Sequence, residues 1–253
     1  MQIETIAPGV HVVRYVPGGY NVLCAEFADH LVVVETPEGN SRAGLAEQVI
    51  AFIKQSLPGK PIRYAVPTHH HSDHVGGIRG YVAEGATIIS TRGNESLLKR
   101  LSARRSSISP DALDENGAAP KFAILPGEKM VLQDETQELR LYRIGPTPHV
   151  ASILIAYLPK EKILFQTDLF NAWSCFTYPV PNDDIGHTTA LGDTQALVES
   201  VERLGLPVGR VIGGHGRDVS YAWLKAYATR RAADRLPMWA CAPEEMQSPE
   251  PSW

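Results

Sequence analysis

Apolar residues change rhythm several times along this chain, and each change marks an element. From His11 to Thr36 they fall in three short runs, His11–Val16, Asn21–Phe27 and His30–Thr36, separated by Gly18-Gly19 and Asp29. Runs of this length between turn residues predict a meander of paired strands. From Ser41 to Leu57 the period lengthens. Leu45, Val49, Ile50, Ile53 and Leu57 recur at helical spacing, and Ser41 can cap the helix they define. Ile62–Val66 is a short strand that leads into a cluster of histidines, and Gly76–Glu84 after the cluster predicts a short helix. A strand at Thr87–Ser90 and a helix at Asn94–Leu101 follow. The polar stretch Ser102–Ala119 has no clear period and predicts a surface loop or lid.

The second half repeats the style. It predicts strands at Phe122–Leu125, Glu138–Ile144, Ile153–Tyr157 and Lys162–Gln166, a helix at Thr189–Leu204, a strand at Arg210–Ile212 and a helix at Val219–Arg235. Strands accompanied by covering helices in both halves predict an α/β fold. A four-layer αββα sandwich, two mixed β-sheets with helices on the outer faces, accommodates this order. Residues 1–236 are expected to form one domain, and the Pro-, Glu- and Ser-rich tail 237–253 to be loosely ordered.

Composition narrows the partners. A chain of 253 residues can bury a large core, and a formal net charge of -4 offers no broad attraction to phosphate backbones, so nucleic acid is not expected as a partner. The longest apolar runs, such as Val150–Leu158, fall far short of a membrane span of about 20 residues. The opening residues lack a basic start and an apolar h-region, which predicts a cytoplasmic protein, or a periplasmic one if a leader has been removed. Cys24, Cys175 and Cys241 are too dispersed for a disulfide framework or a Cys-x-x-Cys metal pair, and read as reduced structural residues.

The chemistry lies in Thr68-His69-His70-His71-Ser72-Asp73-His74-Val75-Gly76-Gly77. Metal ligands must converge on a point, and in extended chain His69 and His71 can face the same way. Asp73 and His74 can turn toward a second point nearby, while His70, the odd member, faces away. His149, Asp168 and His215 lie at or just after strand ends. His215 stands in Gly213-Gly214-His215-Gly216, where glycines permit close approach of the backbone to a metal. Each of these residues has an ordinary reading alone: a solvated histidine loop, or an aspartate ending a strand. Together they have no packing rationale.

In this order the motifs resemble the metallo-β-lactamase superfamily over essentially the whole chain. The resemblance implies that His69, His71 and His149 hold a first zinc ion, that Asp73, His74 and His215 hold a second, and that Asp168 bridges them. It implies a hydroxide shared by the metals that attacks a carbonyl, with Asp73 also orienting it or moving a proton. Two Zn2+ are expected, with Mn2+ or Fe2+ fitting the same nitrogen and oxygen donors. His187, in Gly186-His187-Thr188, rivals His149 as third histidine, but it follows Asp168 where the family order places that histidine before. True zinc β-lactamases usually carry Cys or Ser where Asp168 stands, so the chain looks closer to lactonases and glyoxalase II-type thioesterases.

The expected substrate is therefore a small carbonyl compound: a lactone, ester, thioester or β-lactam. Two alternatives keep the same site: β-lactamase-like activity as the main function, and iron-dependent sulfur or oxygen redox chemistry. His71 speaks against a di-iron version, where a glutamate usually stands. Phe170, Trp173, Phe176 and Tyr178, after Asp168, read as core or lid residues or as walls of an apolar pocket. No feature of the sequence bears on oligomeric state.

Overall fold

Side chains alternate across a β-strand, so a strand inside a stack of layers feeds two cores at once. The computed structural model, which describes residues 1–38, 44–172 and 191–229, shows this throughout. Strands β1 (Gln2–Ala7), β2 (Val10–Val16), β3 (Tyr20–Glu26), β4 (Leu31–Val34), β5 (Ile62–Val66), β6 (Thr87–Ser90) and β7 (Lys121–Ile124) form a seven-stranded sheet in chain order. Pairing is antiparallel from β1 to β4 and parallel from β4 to β7. Strands β8 (Lys129–Gln133), β9 (Glu138–Ile144), β10 (Ile153–Leu158), β11 (Ile163–Gln166), β12 (Arg210–Gly213) and β13 (Val219–Ser220) form a six-stranded sheet, in which only β11 and β12 run parallel.

Leu23, Ala25, Val32 and Val34 of the first sheet meet Leu139, Leu141, Leu154, Ala156 and Phe165 of the second in a central core. The alternate residues Val22, Cys24, Leu31 and Val33 face helices α1 (Leu45–Ser56), α3 (Ile78–Ala83), α4 (Glu95–Ala103) and α5 (Ala112–Asn116). On the far side, Ile153, Ile155 and Tyr157 pack with α6 (Leu191–Arg203) and α7 (Tyr221–Thr229). The result is the expected sandwich of two mixed sheets between helices. Among the described residues no helix is long and apolar enough to cross a membrane.

Several elements go beyond the sequence expectation. β1 and β8 are half-exposed strands, held by backbone pairing to a single neighbour, so neither carries the apolar run that marks a buried strand. α5 lies in the stretch read as a loop or lid. Asp111 and Asp114 close a capping box around it, Leu113 is buried in the outer core, and Arg79 of α3 binds both aspartates. This segment thus joins the outer helical layer. Residues 219–220, expected to begin the last helix, pair with β12 before α7 starts. The proposed cap Ser41, the end of that helix to Arg235 and the tail 237–253 lie outside the described residues. Glu38 supplies acceptors at the start of α1, from Leu45 N–H at 3.1 Å and Ala46 N–H at 3.0 Å, where a carboxylate also complements the helix dipole.

Candidate metal centre

Parallel pairing brings the C-terminal ends of β4 and β5 to one edge of the first sheet, and those of β11 and β12 to one edge of the second. Open sheets commonly bind ligands at that edge. Here the two edges meet: Leu154 N–H donates to Thr68 O across the sheets at 2.9 Å. Every sequence-derived candidate lies in the segments leaving these strands or on the turn before β10.

After His69 and His71 the chain does not stay extended. His71 begins the one-turn helix α2 (Ser72–Val75), which swings Asp73 and His74 back toward the sheet edge. The potential donor atoms form two groups, His69, His71, His149 and Asp168, and Asp73, His74, Asp168 and His215, each with its ligand atoms within 4.8 Å of one another. Asp168 belongs to both. Its Oδ2 lies 3.4 Å from His69 Nε2, 3.2 Å from His149 Nε2 and 2.9 Å from His74 Nε2, while its Oδ1 lies 3.3 Å from His215 Nε2. His69 and His149 Nε2 are 3.3 Å apart, and the His71 ring lies 4.6 Å from each of those rings. His70 is exposed and belongs to neither group.

The residues around the cluster set which nitrogen faces inward. Thr68 Oγ1 touches His69 Nδ1 at 3.1 Å and Thr167 Oγ1 at 2.8 Å, leaving His69 Nε2 toward Asp168. Glu35, 1% exposed, receives the Nδ1–H of His74 on one oxygen and Thr68 N–H on the other at 3.3 Å. That contact assigns the tautomer with its lone pair on Nε2. His215 Nδ1 faces Gly19 O at 3.3 Å, and Asp193 of α6 accepts His149 N–H at 2.7 Å. Gln166 builds the turn under Asp168: it accepts from Leu169 and Phe170 N–H and donates to Phe170 O. Glu35 and Asp168 both have positive φ, 86° and 59°, a conformation that costs free energy and persists where its surroundings enforce it.

Burial depresses the His69 imidazole to about 4 against an opposing contact with Asp168, and burial with the neighbouring His149 lowers His71. Both are neutral and able to act as ligands. Burial also opposes ionisation of Asp73 and Asp168, but is outweighed. Contact with His74 brings Asp73 to about 2, and His149, His215, His69 and His74 hold Asp168 far below the carboxylate range. His74 rises well above the imidazole range, because Glu35, Asp168 and Asp73 overcome its burial. The negative charge that favours a proton on His74 would favour a cation at the same point.

The donors fit a metal. His74 Nε2 is buried and makes no hydrogen bond despite its nearness to two carboxylates, as expected of a lone pair aimed at a shared centre. Four donors about 2.1 Å from such a centre stand roughly 3.4 Å apart in a tetrahedron. The contacts of 2.9 to 3.4 Å lie at or a little below that spacing.

Two sequence expectations change in detail. The glycines around His215 are required for close approach to protein: a Cβ on Gly214 would stand 2.1 Å from Thr167 Cγ2. Phe170 is 5% exposed and packs edge-on against Trp223 and Tyr227 in the outer core, so it is no pocket wall. Trp173, Phe176, Tyr178 and His187 lie outside the described residues, as do Cys175 and Cys241; Cys24 is fully buried. Glu35, Gln166 and Asp193 were missed. A carboxylate ending the apolar run Leu31–Val34 was the readable signal for Glu35, whereas Asp193 has no local signature.

A sandwich of this architecture with a His and Asp donor set at one edge presents a candidate metal centre. The profile of the Metallo-beta-lactamase superfamily matches residues 17–215, and the chain belongs to that superfamily. Among curated proteins, the alpha subunit of 2,4-dinitroanisole O-demethylase from Nocardioides sp. (strain JS1661) is 27% identical over 174 residues, covering 68% of this chain. The chain spans 46% of that relative's length. Among solved structures, a metallo-beta-lactamase from Pontibacter korlensis has a TM-score of 0.62 at 19% identity, covering 91% of this chain and 99% of that one. One from Pseudomonas aeruginosa, in a mono-zinc form, has 0.62 at 19%, covering 90% and 92%. One from Hirschia baltica has 0.60 at 23%, covering 90% and 95%. At these identities the likeness is one of fold.

Proposed function

We propose that this protein is a dinuclear zinc hydrolase of small carbonyl compounds, a lactone, ester, thioester or β-lactam. One observation carries the reading: Asp168 turns one carboxylate oxygen to His69, His149 and His74 and the other to His215, so two donor groups share it. His69, His71 and His149 would hold one ion and Asp73, His74 and His215 the other, with Asp168 between. The nitrogen and oxygen donors suit zinc, and would also accept manganese or iron. Zinc at such a centre supplies Lewis acidity and brings the ionisation of water toward neutral pH.

The chain's own groups prepare that chemistry. Glu35 and Thr68 fix the imidazoles of His74 and His69, so little reorganisation is needed at the moment of reaction. Asp73, ionised and with its side chain 24% exposed against 13% for Asp168, is the carboxylate placed to orient water and pass a proton toward solvent. A second reading, cleavage of an aryl methyl ether, is supported by the name of the Nocardioides relative.

The test is a hydrolysis panel of an acyl-homoserine lactone, S-lactoylglutathione, an aryl ester, a chromogenic β-lactam and 2,4-dinitroanisole. The zinc-loaded protein should turn over one class, lose that activity on exhaustive chelation and regain it with zinc. Full activity after chelation would end the proposal.

A further inference from the structure

Tyr20 opens β3 directly after the Gly18-Gly19 turn, and its surroundings set it apart. It is 8% exposed, yet among the described residues its hydroxyl has no hydrogen-bond partner. Tyr157 and Tyr221, by contrast, donate to Pro207 O and Glu202. Tyr81, also unpaired, is fully enclosed in the outer core. The Tyr20 ring lies against both histidines of the second donor group, 4.9 Å from His215 and edge-on to His74 at 6.2 Å. A phenol ionises only near about 10, so the hydroxyl keeps its proton at neutral pH.

The ring is held in place. Gly18 has φ 99°, and a Cβ there would stand 2.4 Å from Tyr20 Cε2, so only glycine leaves the ring this position. The next residue ties the strand to the loop carrying His215. Asn21 N–H donates to Gly214 O at 2.7 Å, and its carboxamide donates to Gly213 O and Gly216 O at 2.8 and 3.0 Å. An undissociated hydroxyl with no internal partner, fixed beside two candidate ligands, is a donor prepared for something that enters the site.

We propose that the Tyr20 hydroxyl is a substrate-contacting donor of this centre, giving a hydrogen bond to the substrate oxygen that gains negative charge when the carbonyl is attacked. The proton remains on Tyr20 throughout. The inference rests on the hydrolase reading above and adds to it a residue from the first sheet that no metal needs.

The experiment compares Tyr20→Phe with wild type, both as full-length zinc-loaded protein. Zinc per chain and the thermal midpoint should be unchanged, while kcat/KM falls about 10²-fold, as when an oxyanion donor is removed. Methylphosphonate, a tetrahedral oxyanion, should bind roughly tenfold more weakly by calorimetry. Equal phosphonate affinity in both proteins would overturn the inference, and so would a wild type that does not bind the phosphonate. Loss of zinc from Tyr20→Phe would also overturn it, because the hydroxyl would then serve the metal site rather than the substrate. Binding requires no turnover, so a wild type that binds methylphosphonate yet hydrolyses nothing in the panel fails the hydrolase reading while the Tyr20 comparison is still decided.

Discussion

Asp168→Asn is expected to lower turnover by more than about two orders of magnitude, beyond the 10–100-fold typical of losing an outer-shell partner of a metal. The reason is geometric as well as electrostatic. A carboxylate presents acceptors on both sides, toward His69, His149 and His74 and toward His215. An amide of the same shape presents an acceptor on one side only and an NH2 donor on the other, so one donor group loses its shared ligand. Asparagine tolerates the positive φ of this position, and Gln166 still builds the turn beneath it, so the thermal midpoint should stay close to wild type. Elemental analysis should show less zinc per chain. Wild-type kcat with full zinc content would remove Asp168 from the centre.

His71→Ala should have a comparable effect on turnover by a different route. The imidazole is half-exposed and sits against His69 and His149, so its loss leaves little buried surface unfilled and the fold should persist. What goes is one of three nitrogens of the first donor group, and no carboxylate other than Asp168 stands in that group to compensate. Steady-state rates should fall by orders of magnitude, and added free imidazole should restore part of them. His70→Ala is the matched control: exposed and outside both groups, it should behave as wild type. Equal loss in both variants would mean that the histidine loop matters for folding rather than for ligation.

The parts of this arrangement that the sequence made legible are those with a period or a dense motif. Strands buried on both faces read as apolar runs, and α1, α4 and α6 follow helical spacing, because packing in layers demands those patterns. β1 and β8 escaped because an edge strand is held by its backbone and imposes little on its side chains. α5 escaped because its stability comes from Arg79, far back in the chain, gripping Asp111 and Asp114. The donors His69, His71, Asp73 and His74 were legible as a cluster, and His149, Asp168 and His215 through their order along the chain. Their supports were not. Glu35, Gln166 and Asp193 act through contacts of long sequence separation or through a single turn, and no local spacing announces that Glu35 will meet His74.

The account turns on two cations sharing Asp168, and anomalous diffraction from crystals of the zinc-loaded protein, collected above and below the zinc edge, tests it most directly. It predicts two peaks about 3.5–4 Å apart, one among His69, His71 and His149 and the other among Asp73, His74 and His215, with the Asp168 carboxylate between them. A single peak, or zinc located away from these side chains, would contradict it.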